Sequence, residues 1–221
     1  MEGANAFRLR AGATVAGPMT KGRSKMMKSF TIALTVLALA AHAHGAVWSD
    51  DFNDGNAGDG VPVTWTPHPA TPGTYDASSG DYVLTPLDVG NDDESMLATV
   101  ESSSLGDTSI RTQGMVDGGG GNLGVAARVT FATLSGYTGL LDSGGNLLLI
   151  RFDGGAPSVL GATVLDINAA DDAIVQLDVI GTDLGLRAWR PGDAMPAAPQ
   201  VAVVDATVAV HGSAGSREGI G

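Results

Sequence analysis

"GNLGVAARVTFATLSGYTGLLDSGGNLLLIRFDGG", residues 121–155, is the stretch on which the fold turns. Leu123, Val125, Ala127, Val129 and Phe131 alternate with Gly124, Ala126, Arg128 and Thr130. A period of two marks a strand with one buried face, and the aliphatic set is the expected core side. Two glycine-bearing turns follow, at 143–145 and 153–156, each separating short apolar runs, so the segment reads as consecutive hairpins.

The same texture extends in both directions. Runs rich in Val, Leu and Ile recur about every ten residues between Gly, Asp, Asn and Pro, the spacing of a sandwich. Strands are expected at 48–52, 63–66, 81–85, 95–100, 109–116, 122–131, 136–141, 146–152, 158–166, 173–180, 183–190 and 200–205. A third hairpin, "LDVIGTDLGLRAW", turns at 181–182. No window sustains a helical period with caps at both ends. "DGGGGN", 117–122, reads as a connection between two strands, and neither an internal repeat nor a second domain shows.

Upstream, Lys21, Arg23, Lys25 and Lys28 precede the apolar run "FTIALTVLALAA" and small residues at Ala41 and Ala43. A basic n-region, a short apolar h-region and an A-x-A site compose a secretory signal peptide, and the run is too short to span a bilayer. Residues 26–46 are therefore the expected signal, cut after Ala43 or Ala46, with no stable membrane span left afterwards. Residues 1–25 read as an unstructured leader or an over-extended start, and 47–221 as one β-sandwich. The destination is secretion or the cell envelope.

From residue 44 onward there are 20 Asp and 3 Glu against 6 Arg, an excess of 17 negative charges. Such a surface repels polyanions, which argues against nucleic acid and anionic membranes as partners. Cysteine is absent, so an exported chain of this kind depends on its own core, for which about 175 residues suffice.

The strands and turns from "GNLGVAARV" through "VQLDVIGTDLGLRAW" resemble the central part of concanavalin A-like lectin/glucanase domains, the laminin-G-like jelly rolls of secreted bacterial proteins. "DDFND" followed by "VTW" resembles their opening, and the likeness covers nearly all of 47–215. It implies an all-β, two-sheet antiparallel jelly-roll sandwich. Because that fold hosts lectins, adhesins and hydrolases alike, it implies no single function. The family usually continues into a closing strand beside the first, often with an Asp-Phe pair. This sequence stops at "GSAGSREGIG", so the expected sandwich lacks its last strand and leaves the edge beside "WSDDF" unpaired.

"WSDDFNDGNAGDGVPVTW", 48–65, invites a calcium reading. Counted from Asp51 as an EF-hand loop, Asn56 stands where glycine is required and Pro62 where the bidentate acid is required, so that motif fails. A looser calcium cage with "NDDE", 91–94, is one alternative. The other is that Trp48 and Phe52 anchor an edge strand while the Asp, Asn and Gly residues form turns.

Paired carboxylates for sugar hydrolysis are not evident. The resemblance implies that a glucanase of this fold would carry its acids on one strand as Glu-x-Asp-x-x-Glu. Glu94, Glu101 and Glu218 stand in no such pattern, and Asp178 is expected to pair with Arg187 across the hairpin. There is no G-x-S-x-G, and His68 and His211 fall in separate loops.

A binding face remains. A turn at 181–182 sets Gln176 opposite Arg187 and Ile174 opposite Trp189. Trp189 beside Arg187, Gln176 and Asp178 would suit a pyranose, with Arg128, Tyr137 and Arg151 joining if their strands are neighbours. Trp65 and Tyr75 are further candidates from loops. The structural alternative makes Trp189 rim packing and the arginines a balance to the acidic surface. The expected function is a non-catalytic carbohydrate-binding or cell-surface interaction module, its partner a glycan or an envelope or matrix component. The alternatives are a structural matrix protein without a small ligand and an atypical glycoside hydrolase.

Overall fold

The computed structural model describes residues 7–10, 49–59, 64–67, 73–86, 97–101, 107–116, 121–130, 133, 135–168, 170–207 and 216–220. Among them there is no helix. The strands are β1 (Phe7–Arg10), β2 (Trp65–Pro67), β3 (Gly73–Asp76), β4 (Tyr82–Pro86), β5 (Ala98–Glu101), β6 (Thr108–Val116) and β7 (Asn122–Thr130). They continue as β8 (Ser135–Asp142), β9 (Asn146–Asp153), β10 (Ala156–Val164), β11 (Ala173–Ile180), β12 (Asp183–Trp189), β13 (Val201–Val204) and β14 (Ser216–Ile220). One sheet runs β13-β12-β11-β6-β1-β4-β3 and the other β10-β9-β8-β7-β14-β5-β2. Neighbours in both sheets pair antiparallel, and the protein is an all-β two-layer sandwich.

Alternation builds the core. Val175, Leu177 and Val179 of β11 and Leu184, Leu186 and Ala188 of β12 face Leu123 and Val125 of β7, Leu141 of β8, and Leu147 and Leu149 of β9. Each large aliphatic side chain so enclosed contributes about 1.5–3 kcal/mol relative to exposure. Gly139 of β8 is part of this fit. A Cβ there would overlap Leu186 Cδ1 from the opposite sheet, and Leu186 is itself fully enclosed.

Four local expectations change. Residues 49–52 do not form a strand, because Asp50, Asp51 and Asp54 accept hydrogen bonds from the amides of Phe52, Asn53 and Asn56. Such Asx turns take N–H groups that a ladder would need. Phe52 adopts φ 55° and still reaches the core at 2 % exposure. The short edge strand β3, "GTYD", has too few residues to display a period. Phe7–Arg10, in the segment read as an unstructured leader, pairs with both β4 and β6. The tail expected to leave an edge open supplies β14, an interior strand between β5 and β7.

The enclosed contact at Gly139 yields a stability test. Gly139→Ala should cost about 1–3 kcal/mol by overpacking, and adding Leu186→Ala should cost less than the two single changes summed. Urea denaturation of the four proteins measures this; strict additivity would mean that the two positions do not touch.

Candidate functional site

The hairpin β11–β12 has the expected register. Gln176 stands opposite Arg187 and Ile174 opposite Trp189, with Gly181 at φ 57° in the turn. With Leu177 and Leu186 committed to the core, the alternate residues Gln176, Asp178 and Arg187 fall on the outer face. Arg187 Nη1 pairs with Asp178 Oδ2, as the sequence suggests. Asp178 Oδ1 accepts from Gln176 Nε2 at 2.9 Å and from Ser109 Oγ of neighbouring β6 at 2.6 Å. Ser109 went unnoticed in the sequence, although the pairing of β6 with β11 sets it opposite Asp178.

This polar ladder borders a shallow groove of about 370 Å³, lined by Asp178, Ile180, Asp183, Arg187, Pro199 and Ala202 among others. Gly185 belongs to the floor, and a Cβ there would come within 2.9 Å of Pro199 Cγ. Ile180 and Val204 add large exposed aliphatic surface, at 57 % and 73 %.

Trp189 does not serve this face as expected: it is only 6 % exposed. The connection 190–200 folds back along β12. Gln200 brackets Ala188, its Oε1 accepting from the backbone N–H and its Nε2 donating to the carbonyl, both at 2.8 Å. Arg187 Nε also donates to Pro196 O at 3.2 Å. The rim-packing alternative therefore holds for Trp189, and no pyranose can stack on it in this conformation.

Arg128, Tyr137 and Arg151 are likewise elsewhere. In β7 one extra residue lies between Ala127 and Thr130 relative to Tyr137 and Ser135 of β8, a bulge that resets the alternation. Arg128, at φ 54°, sits in it, is 4 % exposed, and crosses to donate from Nη2 to Gly181 O at 2.8 Å. Gly136 lies against the bulge, where a Cβ would come within 3.1 Å of Val129 Cα. Tyr137 is wholly buried, with its hydroxyl 3.3 Å from Asp205 Oδ1. Arg151, opposite Tyr137, pairs with Asp205 at 2.6 Å and donates to Thr207 Oγ1 at 2.9 Å. These side chains join the two sheets at one end of the sandwich instead of extending the outer face.

The opening loop is occupied by structural bonds. Asp50 accepts from Phe52 N and from Trp65 Nε1, both at 2.9 Å, and Asp51 Oδ2 accepts from Asn53 Nδ2 at 2.7 Å. Burial pushes the Asp50 carboxyl above its ordinary value, partly offset by these two donors. Phe52, Trp65, Tyr75 and Tyr82 form one aromatic cluster, with centroids 5.0–6.3 Å apart between neighbours, so Trp65 and Tyr75 serve packing. Among the described residues no three His, Cys, Asp or Glu side chains gather as a metal site. "NDDE", His68 and His211 lie outside the described residues.

No protein-family model and no curated protein matches the chain. Among solved structures it is similar to the carbohydrate binding module CBM66 from Bacillus subtilis, at TM-score 0.41 and 15 % identity, covering 57 % of this chain and 77 % of that one. A likeness of that size carries no inference about the ligand.

The buried acid at the sandwich end gives a pH test. Burial alone would raise the Asp205 carboxyl, but the amide and hydroxyl of Thr207 and the Arg151 guanidinium outweigh it and hold it below the ordinary carboxylate value. A depressed folded value adds stability that is present above the unfolded value and lost as pH falls through the folded one. Stability should therefore fall below about pH 4, and Asp205→Asn should flatten that part of the curve. Denaturant midpoints between pH 2 and 6 measure it; an unchanged slope would contradict the pairing.

Proposed function

We propose that this chain is an exported, non-catalytic glycan-binding module of the concanavalin A-like type, and that the groove beside Asp178 and Arg187 is its sugar site. The observation that carries this reading is the juxtaposition on one rigid sheet face of planar polar groups with small aliphatic surface. Asp178 and Arg187 can take hydroxyls through hydrogen bonds, while Ile180, Ala202 and Val204 lie against the C–H edges of a ring. Three of the residues singled out in the sequence, Gln176, Asp178 and Arg187, meet here.

The non-catalytic part of the proposal is supported by the same bonds. Asp178 accepts from Ser109, Gln176 and Arg187 together, as a positioning carboxylate does, and its about four acceptor sites leave room for a sugar hydroxyl. A second reading, a structural envelope or matrix component, is favoured by one feature. Edge strand β10 spans nine residues without a charge and exposes Val159 at 62 % and Val164 at 72 %.

A glycan array followed by calorimetry tests the proposal. Retained sugars should lose at least tenfold in affinity with Asp178→Ala/Arg187→Ala, which removes both charges together, and with Ala202→Arg, which fills the groove from an exposed position. No retained glycan, or undiminished binding by Ala202→Arg, would overturn it; self-association without sugar binding, seen by sedimentation, would select the structural reading.

A further inference from the structure

Strand β1 occupies an interior place in its sheet, yet it comes from upstream of the expected signal peptide. It is antiparallel to β4 on one side and to β6 on the other. Position 7 stands opposite Leu84 and Val116, and position 9 opposite Tyr82 and Gly114. Those four neighbours are all buried. Because both flanking strands oppose β1, they run parallel to each other, about two strand spacings or 9–10 Å apart, too far to pair directly. Cleavage after Ala43 or Ala46 would carry residues 7–10 away.

We propose that the exported form of this chain has an open slot between β4 and β6, and that a strand donated by another polypeptide fills it. The donor is extended, apolar at two alternate positions and basic at the positions between. Several features define that chemistry. The facing N–H and C=O groups of β4 and β6 need a ladder, because a buried backbone group left without a partner destabilises the sheet. Buried Leu84, Val116 and Tyr82 line the two apolar positions. The domain's excess of 17 negative charges beyond residue 44, including Asp81 next to β4, favours a cationic strand. "FRLR", the segment seated there now, has this pattern. The slot lies across β6 from the groove, so it stands independently of the glycan reading and rests on removal of the leader.

The experiment uses the full chain with a specific protease site in place of residues 43–46. It is cut, and the leader is separated by gel filtration. The probe is a fluorescent peptide of residues 3–14, GANAFRLRAGAT, with a control peptide carrying Phe7→Asp and Leu9→Asp. The peptide should bind the cut chain, and bind at least tenfold more weakly to the uncut chain, whose slot is filled. The control peptide should likewise bind the cut chain at least tenfold more weakly. If cutting abolishes the β signal in far-ultraviolet circular dichroism, recovery on adding the peptide supports the slot and failure to recover overturns it. Equal binding to cut and uncut chains, equal binding of the control, or a folded cut chain that ignores the peptide would also overturn it. A cut chain that dimerises and excludes the peptide would show that a second copy fills the slot, which overturns the assignment to another polypeptide.

Discussion

The register of one hairpin governs both halves of this molecule. A turn of two residues, Gly181 and Thr182, sets Leu177 opposite Leu186 and Gln176 opposite Arg187. The first pair is interred between the sheets, and the second stands on the outer face beside Asp178. A slip by one residue would exchange the two sets, placing charge inside and leucine outside. The core and the candidate site therefore follow from the same pairing. The glycine floor of the groove and the enclosed contact of Leu186 with Gly139 belong to it as well.

The acidic composition is managed by location. Among the described residues most carboxylates are left in water or close Asx turns, and the buried Asp50 and Asp205 have donors. Asp50 ties Phe52 to Trp65, and Asp205 ties β13 to Arg151. Arg128 closes the same end by bonding the turn at Gly181, so an arginine in the second sheet holds the hairpin that positions the groove in the first. Interior polar groups here connect elements distant in sequence, and charged hydrogen bonds of this type contribute about 1.5–3 kcal/mol each.

Much of the fold was legible because alternation and turn glycines are local signals. The strands from β6 to β13 fall within a few residues of expectation, and so does the facing of Gln176 with Arg187. The site was half legible. Asp178 and Arg187 follow from register, whereas the fate of Trp189 depends on where residues 190–200 fold back, which no periodicity encodes. Arg128 misled for another reason. Its place in the alternation says outward, but a bulge with positive φ turns it across the sheets, and nothing in "GVAARV" marks that bulge. Tyr137 and Arg151 were assigned by chemistry to a wet face, although their position opposite one another puts them at the core's end. Strands β1 and β14 are defined by pairing partners far along the chain, and β3 is four residues long beside its sequence neighbour β4.

The pairing of β11 with β12 can be measured directly by nuclear Overhauser contacts between α-protons. Counting from the turn, Leu177 and Leu186 form a pair without mutual hydrogen bonds, whose α-carbons approach to about 4.5 Å. The expected result is a strong Leu177–Leu186 α-proton contact together with one between Val179 and Leu184. Contacts from Leu177 to Gly185 or Arg187 in their place would reveal a shifted register and contradict both the core and the site described above.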